Sequence, residues 1–298
     1  MTNEVCSALK ICPEVIRRGV ERLSLHTVDG IEEIRMYRGR ETVVRSCGKS
    51  YTLDGALVTA EHLRNVMGAA TAQSAYAAAQ MLSNGFITIS GGHRLGICGE
   101  TVIKNGEITT LRDISSLNLR VARQVVGIAD SLCSHIWLHQ VSTLIVGPPG
   151  CGKTTLLRDL IRQLSNCFDW RIAVVDERLE LAAASGNCMG FDLGRNTDVL
   201  SGIGKEKGIE LLLRGMNPQW IAVDEITAQE DVEAICRGSY CGVGFLATAH
   251  ASSKNDLYSR PVYRQLIECG IFQNIVLLNH NRTYTAERLN DQCSRSSA

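Results

Sequence analysis

Apolar positions along the chain follow two regimes that change near residue 126. Before it, short alternating runs prevail: residues 31–37 and 41–45 read as two strands around a turn at Gly39, and residues 86–90 alternate in the same way. Gly91-Gly92 then turns the chain into residues 93–98, and residues 101–109 carry a hairpin signature at Asn105-Gly106. Helical spacing is looser here. It covers residues 11–23, a helix starting at Ala60 with Thr59 as its cap, and an alanine-rich run over 69–81 closed by Asn84-Gly85. A separate, smaller N-terminal α+β domain over residues 1–126 is expected, with its strands in a meander.

Beyond residue 126 the strands become continuous apolar runs with helical stretches between them, the pattern of a mainly parallel sheet. Residues 144–146, 171–175, 220–223, 244–248 and 275–278 are the runs; residues 129–138, 209–213 and 229–240 are helical, and Leu156, Leu157, Leu160, Ile161 and Leu164 share one helix face. Residues 185–208 are glycine-rich and read as a long, mobile connection, and the polar tail from Asn290 as frayed. The expected second domain spans residues 127–298.

The first of these runs meets a glycine-rich turn. Gly147-Pro148-Pro149-Gly150-Cys151-Gly152-Lys153-Thr154 fits G-x-x-x-x-G-K-[ST], with a strand before it and a helix, opened by Thr155, after it. Gly150 and Gly152 permit dihedrals that let successive N–H groups converge on a polyphosphate at a helix N-terminus. Pro148 and Pro149 have no N–H, so the donors must come from Gly150 onward. An ordinary strand-to-helix turn would need neither the lysine, which neutralises phosphate charge, nor the threonine, which binds Mg²⁺. Cys151 lies where N–H groups and Lys153 can activate a thiol, or is simply a small residue that fits.

Two later runs end on acids. Asp224-Glu225 suits a carboxylate near the Mg²⁺ followed by a group that orients or deprotonates water. Asp176-Glu177 repeats the arrangement one strand earlier and would support the metal or its waters, unless it merely forms an ion pair with Arg178 or Arg171. His250 ends the 244–248 run, on the same expected sheet edge, where a ring nitrogen can sense a γ-phosphate. Among the arginines of residues 94–123, Arg94 and Arg120 are the chosen candidates to complete the site, in the same chain or across a subunit boundary. Arg112 and Arg123 are the others, and ordinary ion pairing is the competing role for each.

Composition narrows the class. The chain has 298 residues, 45% hydrophobic and 21% charged, ordinary globular values, with Lys+Arg and Asp+Glu both 31. Net charge therefore gives no reason to expect a nucleic-acid or membrane partner. No apolar run approaches the roughly 20 residues of a membrane span, and no basic stretch followed by an apolar core opens the chain, so a cytoplasmic place is expected. The 12 cysteines include no C-x-x-C pair and suggest neither zinc nor a thioredoxin-like motif.

The order of these parts resembles the secretion ATPases of the type II and type IV pilus class. More closely, residues 92–96, 112–123, 147–159, 175–178 and 249–250 resemble segments of the stage III sporulation protein AA family, with similarity from about Glu32 to Leu278. The resemblance implies an α/β fold, a P-loop NTPase core of RecA-like type beside the α+β domain, binding ATP and Mg²⁺. It also implies a hexameric ATPase on the mother-cell side of the forespore membranes, partnered by membrane-channel proteins of the sporulation apparatus. Asp176 and Glu177 fall on the class's aspartate box and His250 on its histidine box. Asp224 departs from the glycine common there, which leaves Glu225 the firmer assignment. A nucleic-acid translocase and a nucleotide-gated scaffold are the alternative functions.

Overall fold

The computed structural model describes residues 1–71, 85–104, 107–183, 190–279, 281 and 283–289. The chain divides into two compact units, Met1–Arg123 with Ala183–Phe191, and Gln124–Ala182 with Asp192–Ala298.

In the first unit, helices α1 (Asn3–Leu9), α2 (Glu14–Glu21) and α3 (Leu25–Asp29) precede strands β1 (Ile31–Tyr37), β2 (Glu41–Ser46) and β3 (Lys49–Leu57). Pro13 interrupts the helical spacing expected over residues 11–23, so α2 starts after it. Helix α4 (Ala60–Thr71) begins where expected, with Thr59 Oγ1 accepting from the His62 N–H at 3.1 Å. Most of the alanine-rich run expected as a helix over residues 69–81, like the expected Asn105-Gly106 turn, lies outside the described residues.

Strand β4 (Phe86–Ile89) leads through a short 3₁₀ turn into β5 (His93–Lys104), which pairs with β6 (Glu107–Arg120). Residues 93–98 and 101–109 were expected as separate pieces; the chain instead runs through as one long hairpin. A bulge between Cys98 and Glu100 makes this possible, because a Cβ on Gly99 would stand 2.8 Å from the Arg112 carbonyl oxygen. Among the described residues the sheet has six strands in the order β3-β2-β1-β6-β5-β4, every pair antiparallel. Ile34, Met36, Leu95, Ile97, Leu117 and Leu119 point to one face and are buried with Val5, Ile16 and Val20 of the helices. The other face carries the charged positions, in keeping with period-two alternation.

The second unit opens with α5 (Asp130–His139) and β7 (Thr143–Gly147), then α6 (Lys153–Phe168), β8 (Ile172–Asp176) and β9 (Thr197–Ser201). It continues with α7 (Lys205–Gly215), β10 (Trp220–Val223), α8 (Gln229–Tyr240), β11 (Gly244–His250), α9 (Lys254–Ser259), α10 (Pro261–Glu268), β12 (Asn274–Leu278) and β13 (Tyr284–Arg288). The sheet order is β13-β12-β7-β11-β10-β8-β9, parallel except for the β12–β13 pair. Central strands β7, β8 and β10 are buried along their whole length, which is why they read as unbroken apolar runs. Residues 185–208 prove to hold β9 and the start of α7 rather than one long connection, residues 184–189 lying outside the described part. No described helix is long and apolar enough to cross a membrane.

Candidate active site

Sheet order does the assembling. In an open parallel sheet the carboxyl ends of the strands face one edge, and β11 lies between β7 and β10. His250 is therefore registered beside Gly147 on one side, while Asp224 and Glu225 follow β10 on the other.

The turn after β7 shows why its glycines are needed. Gly150 and Gly152 adopt φ of 74° and 103°, which L side chains resist. No atom lies within 4 Å of where their Cβ atoms would be, so the loop presents an open concave backbone. Gly147 has the opposite reason, since a Cβ there would stand 2.6 Å from the Leu278 carbonyl oxygen and 2.7 Å from Cys151 Sγ. Cys151 is 2% exposed, so it serves as steric filling beneath the turn rather than as an accessible thiol. Thr155 is half-buried in the first turn of α6, and Pro149 is exposed at the loop's crest.

Lys153 is buried and donates to three acceptors: the Gly147 oxygen at 2.8 Å, the Pro148 oxygen at 2.9 Å and His250 Nδ1 at 3.0 Å. Burial pulls the ammonium below the usual lysine range, opposed by Cys151, Asp224 and Glu225. With Nδ1 accepting from Lys153, the ring proton sits on Nε2, which faces Glu225 Oε1 at 3.1 Å. A chain Lys153–His250–Glu225 results. The second Glu225 oxygen is ion-paired with Arg178 Nη1.

A second network holds Asp224. Thr154 Oγ1 donates to Oδ2 at 2.7 Å and Thr248 Oγ1 to Oδ1 at 2.5 Å, while Thr248 Oγ1 also accepts the Glu225 N–H at 2.7 Å. Glu225 adopts φ of 55°, a conformation that costs a non-glycine residue about 1 kcal/mol or more. Tyr263 supports the turn from behind. Its hydroxyl donates to the Ile226 oxygen at 3.0 Å and accepts the His250 N–H at 3.3 Å.

Asp176 and Glu177 end the neighbouring strand in other company. Asp176 is 2% exposed; Oδ1 accepts from the N–H groups of Glu180 at 2.8 Å and Leu181 at 3.1 Å, and Oδ2 from that of Ala182 at 2.8 Å. Glu177 pairs with neither Arg178 nor Arg171, the two cations expected; its partner is the buried Lys205, which also lies 3.8 Å from Asp231. Arg158 is buried within electrostatic reach of Asp176 and Asp224, donating to the Leu181 oxygen at 2.9 Å and the Glu180 oxygen at 2.5 Å. Burial draws its guanidinium down to about 10, opposed by Asp224, Asp176 and Glu180, so it remains charged at neutral pH. Asp176, Glu177, Arg178, Glu180, Asp224 and Glu225 line a narrow cleft of about 10 Å³, room for one water. A roomier cavity, about 600 Å³, opens at the other edge of the sheet among Ser142, Trp220, Gly244 and Gln273, away from these groups.

Arg94 and Arg120 belong to the first unit, where they face each other across β5 and β6. Arg94 lies 4.9 Å over the Phe86 ring, and Arg120 is 3.7 Å from Glu33. Arg112 pairs with Glu100 at 3.5 Å, and Arg123 donates to the backbone oxygens of Asp29 and Ile31.

The donor set fits a nucleotide polyphosphate with Mg²⁺. The open glycine cradle and Lys153 suit the phosphates. Among the described residues no group of three or more His, Cys, Asp and Glu could hold a metal ion alone. Mg²⁺ accepts few protein oxygens and fills its shell with water and phosphate, so Thr154 Oγ1 and Asp224 suffice as protein ligands. Sequence reasoning missed Thr248, Tyr263, Arg158 and Lys205. Thr248 alone had a signal, its place two residues before His250.

Residues 4–288 match the family model for sporulation stage III, protein AA. Stage III sporulation protein AA of Bacillus subtilis (strain 168) is 34% identical over 282 residues, spanning 93% of this chain and 91% of the relative. Among solved structures, the pilus retraction motor PilT with bound ADP has a TM-score of 0.63 at 18% identity, covering 94% of this chain and 83% of that one. The Legionella pneumophila ATPase DotB has a TM-score of 0.60 at 14% identity, covering 93% of this chain and 80% of that one. The fold is that of these P-loop ATPases.

Proposed function

Because the chain belongs to the sporulation stage III, protein AA family, we propose that it is a Mg²⁺-dependent ATPase, a ring-forming secretion-type motor that powers or assembles a transmembrane channel during sporulation. The observation that carries this reading is the convergence of Lys153, His250 and Glu225 in one hydrogen-bonded chain beside the Thr154–Asp224 contact.

Each residue has a part in the proposed reaction. Lys153 turns from the Gly147 and Pro148 oxygens to the β- and γ-phosphates, and N–H groups from Gly150 onward hold the phosphate oxygens. Thr154 and Asp224 would hold Mg²⁺, which when bound would supply positive charge to offset that of the phosphates. Glu225 orients the attacking water and accepts its proton; the Nε2–H of His250 fixes the carboxylate's direction. For Glu225 to work, Arg178 must leave it, and an arriving polyphosphate offers that guanidinium a stronger partner. Arg94 or Arg120 completes the site, within the chain or from a neighbouring subunit. A hexamer on the mother-cell side, attached to the membrane through channel proteins of the sporulation apparatus, is the assembly this motor implies.

Two variants and one mass measurement test the reading. Lys153→Ala should abolish nucleotide binding, whereas Glu225→Gln should bind ATP normally and lose turnover by about 100-fold or more. Full hydrolysis by the second variant removes Glu225 from its role. Native mass measured with and without ATP and Mg²⁺ should show a ring, and a monomer under both conditions refutes the motor.

A further inference from the structure

The second unit carries a pair of thiols that the nucleotide chemistry does not use. Cys236 lies in the last turns of α8 and Cys269 caps α10, and their sulfur atoms are 3.5 Å apart across 33 residues of chain. Cys236 is half-buried and Cys269 exposed. Burial pushes the Cys236 thiol up to about 11, helped by its hydrogen bond to Cys269. Cys236 therefore keeps its proton and directs it at Cys269 Sγ, which leaves the exposed sulfur as the one placed to attack.

We propose that Cys236 and Cys269 form a reversible dithiol–disulfide site, with a low-molecular-weight disulfide as oxidant, and that its closure latches α8 to α10. The Cys269 thiolate attacks the small disulfide, whose S–S bond breaks and releases one small thiol. Cys236 then gives up its proton and attacks the mixed disulfide at Cys269, releasing the second. Two protein thiols are oxidised and one small disulfide is reduced to two thiols, so atoms and electrons balance.

The latched helices flank the nucleotide edge. Helix α8 starts at Gln229, just after Glu225, and Gln229 Nε2 donates to Gln265 Oε1 of α10 at 2.5 Å. Tyr263 of α10 holds the Ile226 oxygen and the His250 N–H. A covalent bond between these helices stiffens the backing of His250 and of Glu225, which must exchange Arg178 for the attacking water in each turnover. Oxidation should slow hydrolysis and leave nucleotide binding intact. This consequence rests on the proposed ATPase reading; formation of the bond does not.

The full chain, reduced and then treated with oxidised glutathione, should yield a cross-linked peptide joining Cys236 to Cys269. Its melting temperature should rise by about 5 °C, because a loop of this length is closed in the unfolded state. ATP turnover should fall by about threefold or more and recover with dithiothreitol. Cys236→Ser and Cys269→Ser should each abolish the cross-link, the thermal shift and the sensitivity; Cys241→Ser should keep all three. A lasting glutathione adduct on Cys269 with Cys236 still free, or linkage of either to another cysteine, overturns the site. A mapped cross-link with unchanged turnover overturns the latch. A reduced protein without hydrolysis refutes the ATPase reading instead, and the peptide map still decides the dithiol.

Discussion

Strands β8 and β10 lie side by side and parallel, and each leads into the dipeptide Asp-Glu. The two dipeptides have opposite fates because the chain turns at different points after them. Beyond β8 it runs on to Leu179, which takes φ of 57°, and the backbone then folds back so that three N–H groups converge on Asp176. Beyond β10 the turn comes at Glu225 itself, with φ of 55°. Its carboxylate is thereby delivered to His250 and Arg178 while Asp224 meets two threonine hydroxyls. Identical side chains on adjacent strands become an internal loop anchor in one place and a partly open, hydrogen-bonded edge in the other. Where the backbone first departs from the strand decides which.

The largest expected effect comes from the residue both pairs share. Arg158→Ala leaves Asp176 and Asp224 without their buried cation and strands two carbonyls, so unfolding by denaturant should show a loss of about 4 kcal/mol. Retained stability would mean that the two acid pairs are energetically separate. Next is the contrast between the aspartates. Asp176→Asn turns an amide toward backbone N–H groups and should cost about 3 kcal/mol; Asp224→Asn, which keeps an acceptor for a threonine, should cost about 1 kcal/mol. Equal losses in the two melting curves would erase the distinction between anchor and edge. The smallest effect carries the clearest sign. Glu225→Gly relieves a left-handed residue and should leave stability unchanged or raised by up to about 1 kcal/mol, whereas Glu177→Gly removes the nearer of buried Lys205's two acidic partners and should lower it by about 2 kcal/mol. A destabilised Glu225→Gly would place the strain elsewhere.

Legibility in the sequence followed locality. The Gly147–Thr154 loop was readable because its whole pattern falls within eight consecutive residues, flanked by β7 and α6, whose apolar periods are unambiguous. The same holds for β10 and α8, whose limits were expected to the residue. Strands β9 and β13 escaped notice because they are sheet edges: β9 has no fully buried position, and β13 is exposed over four of its five residues. Strand β3 is similarly polar on its open face. Within the site, side-chain identity was legible and partnership was not. Thr248 reaches Asp224 across 24 residues and Arg178 reaches Glu225 across 47, distances that only the order of strands can close. Lys205 lay in a glycine-rich stretch where a buried cation is unexpected; its partners are Glu177, just after β8, and Asp231 in the first turn of α8.

One detail of the loop between β7 and α6 has a thermodynamic side. Lys153 has three N–H bonds and three acceptors, two of them the loop's own carbonyls. On the proposed reading, nucleotide capture would be a competition in which a ligand gains only its advantage over contacts already made, so the heat released should be modest for so charged a partner. A single sulfate or phosphate offers one small anion against that standing set, while a triphosphate offers several oxygens at once and a backbone cradle to match. A loop that takes a nucleotide as proposed would thus favour the longer ligand in its resting state, before any base or ribose is touched.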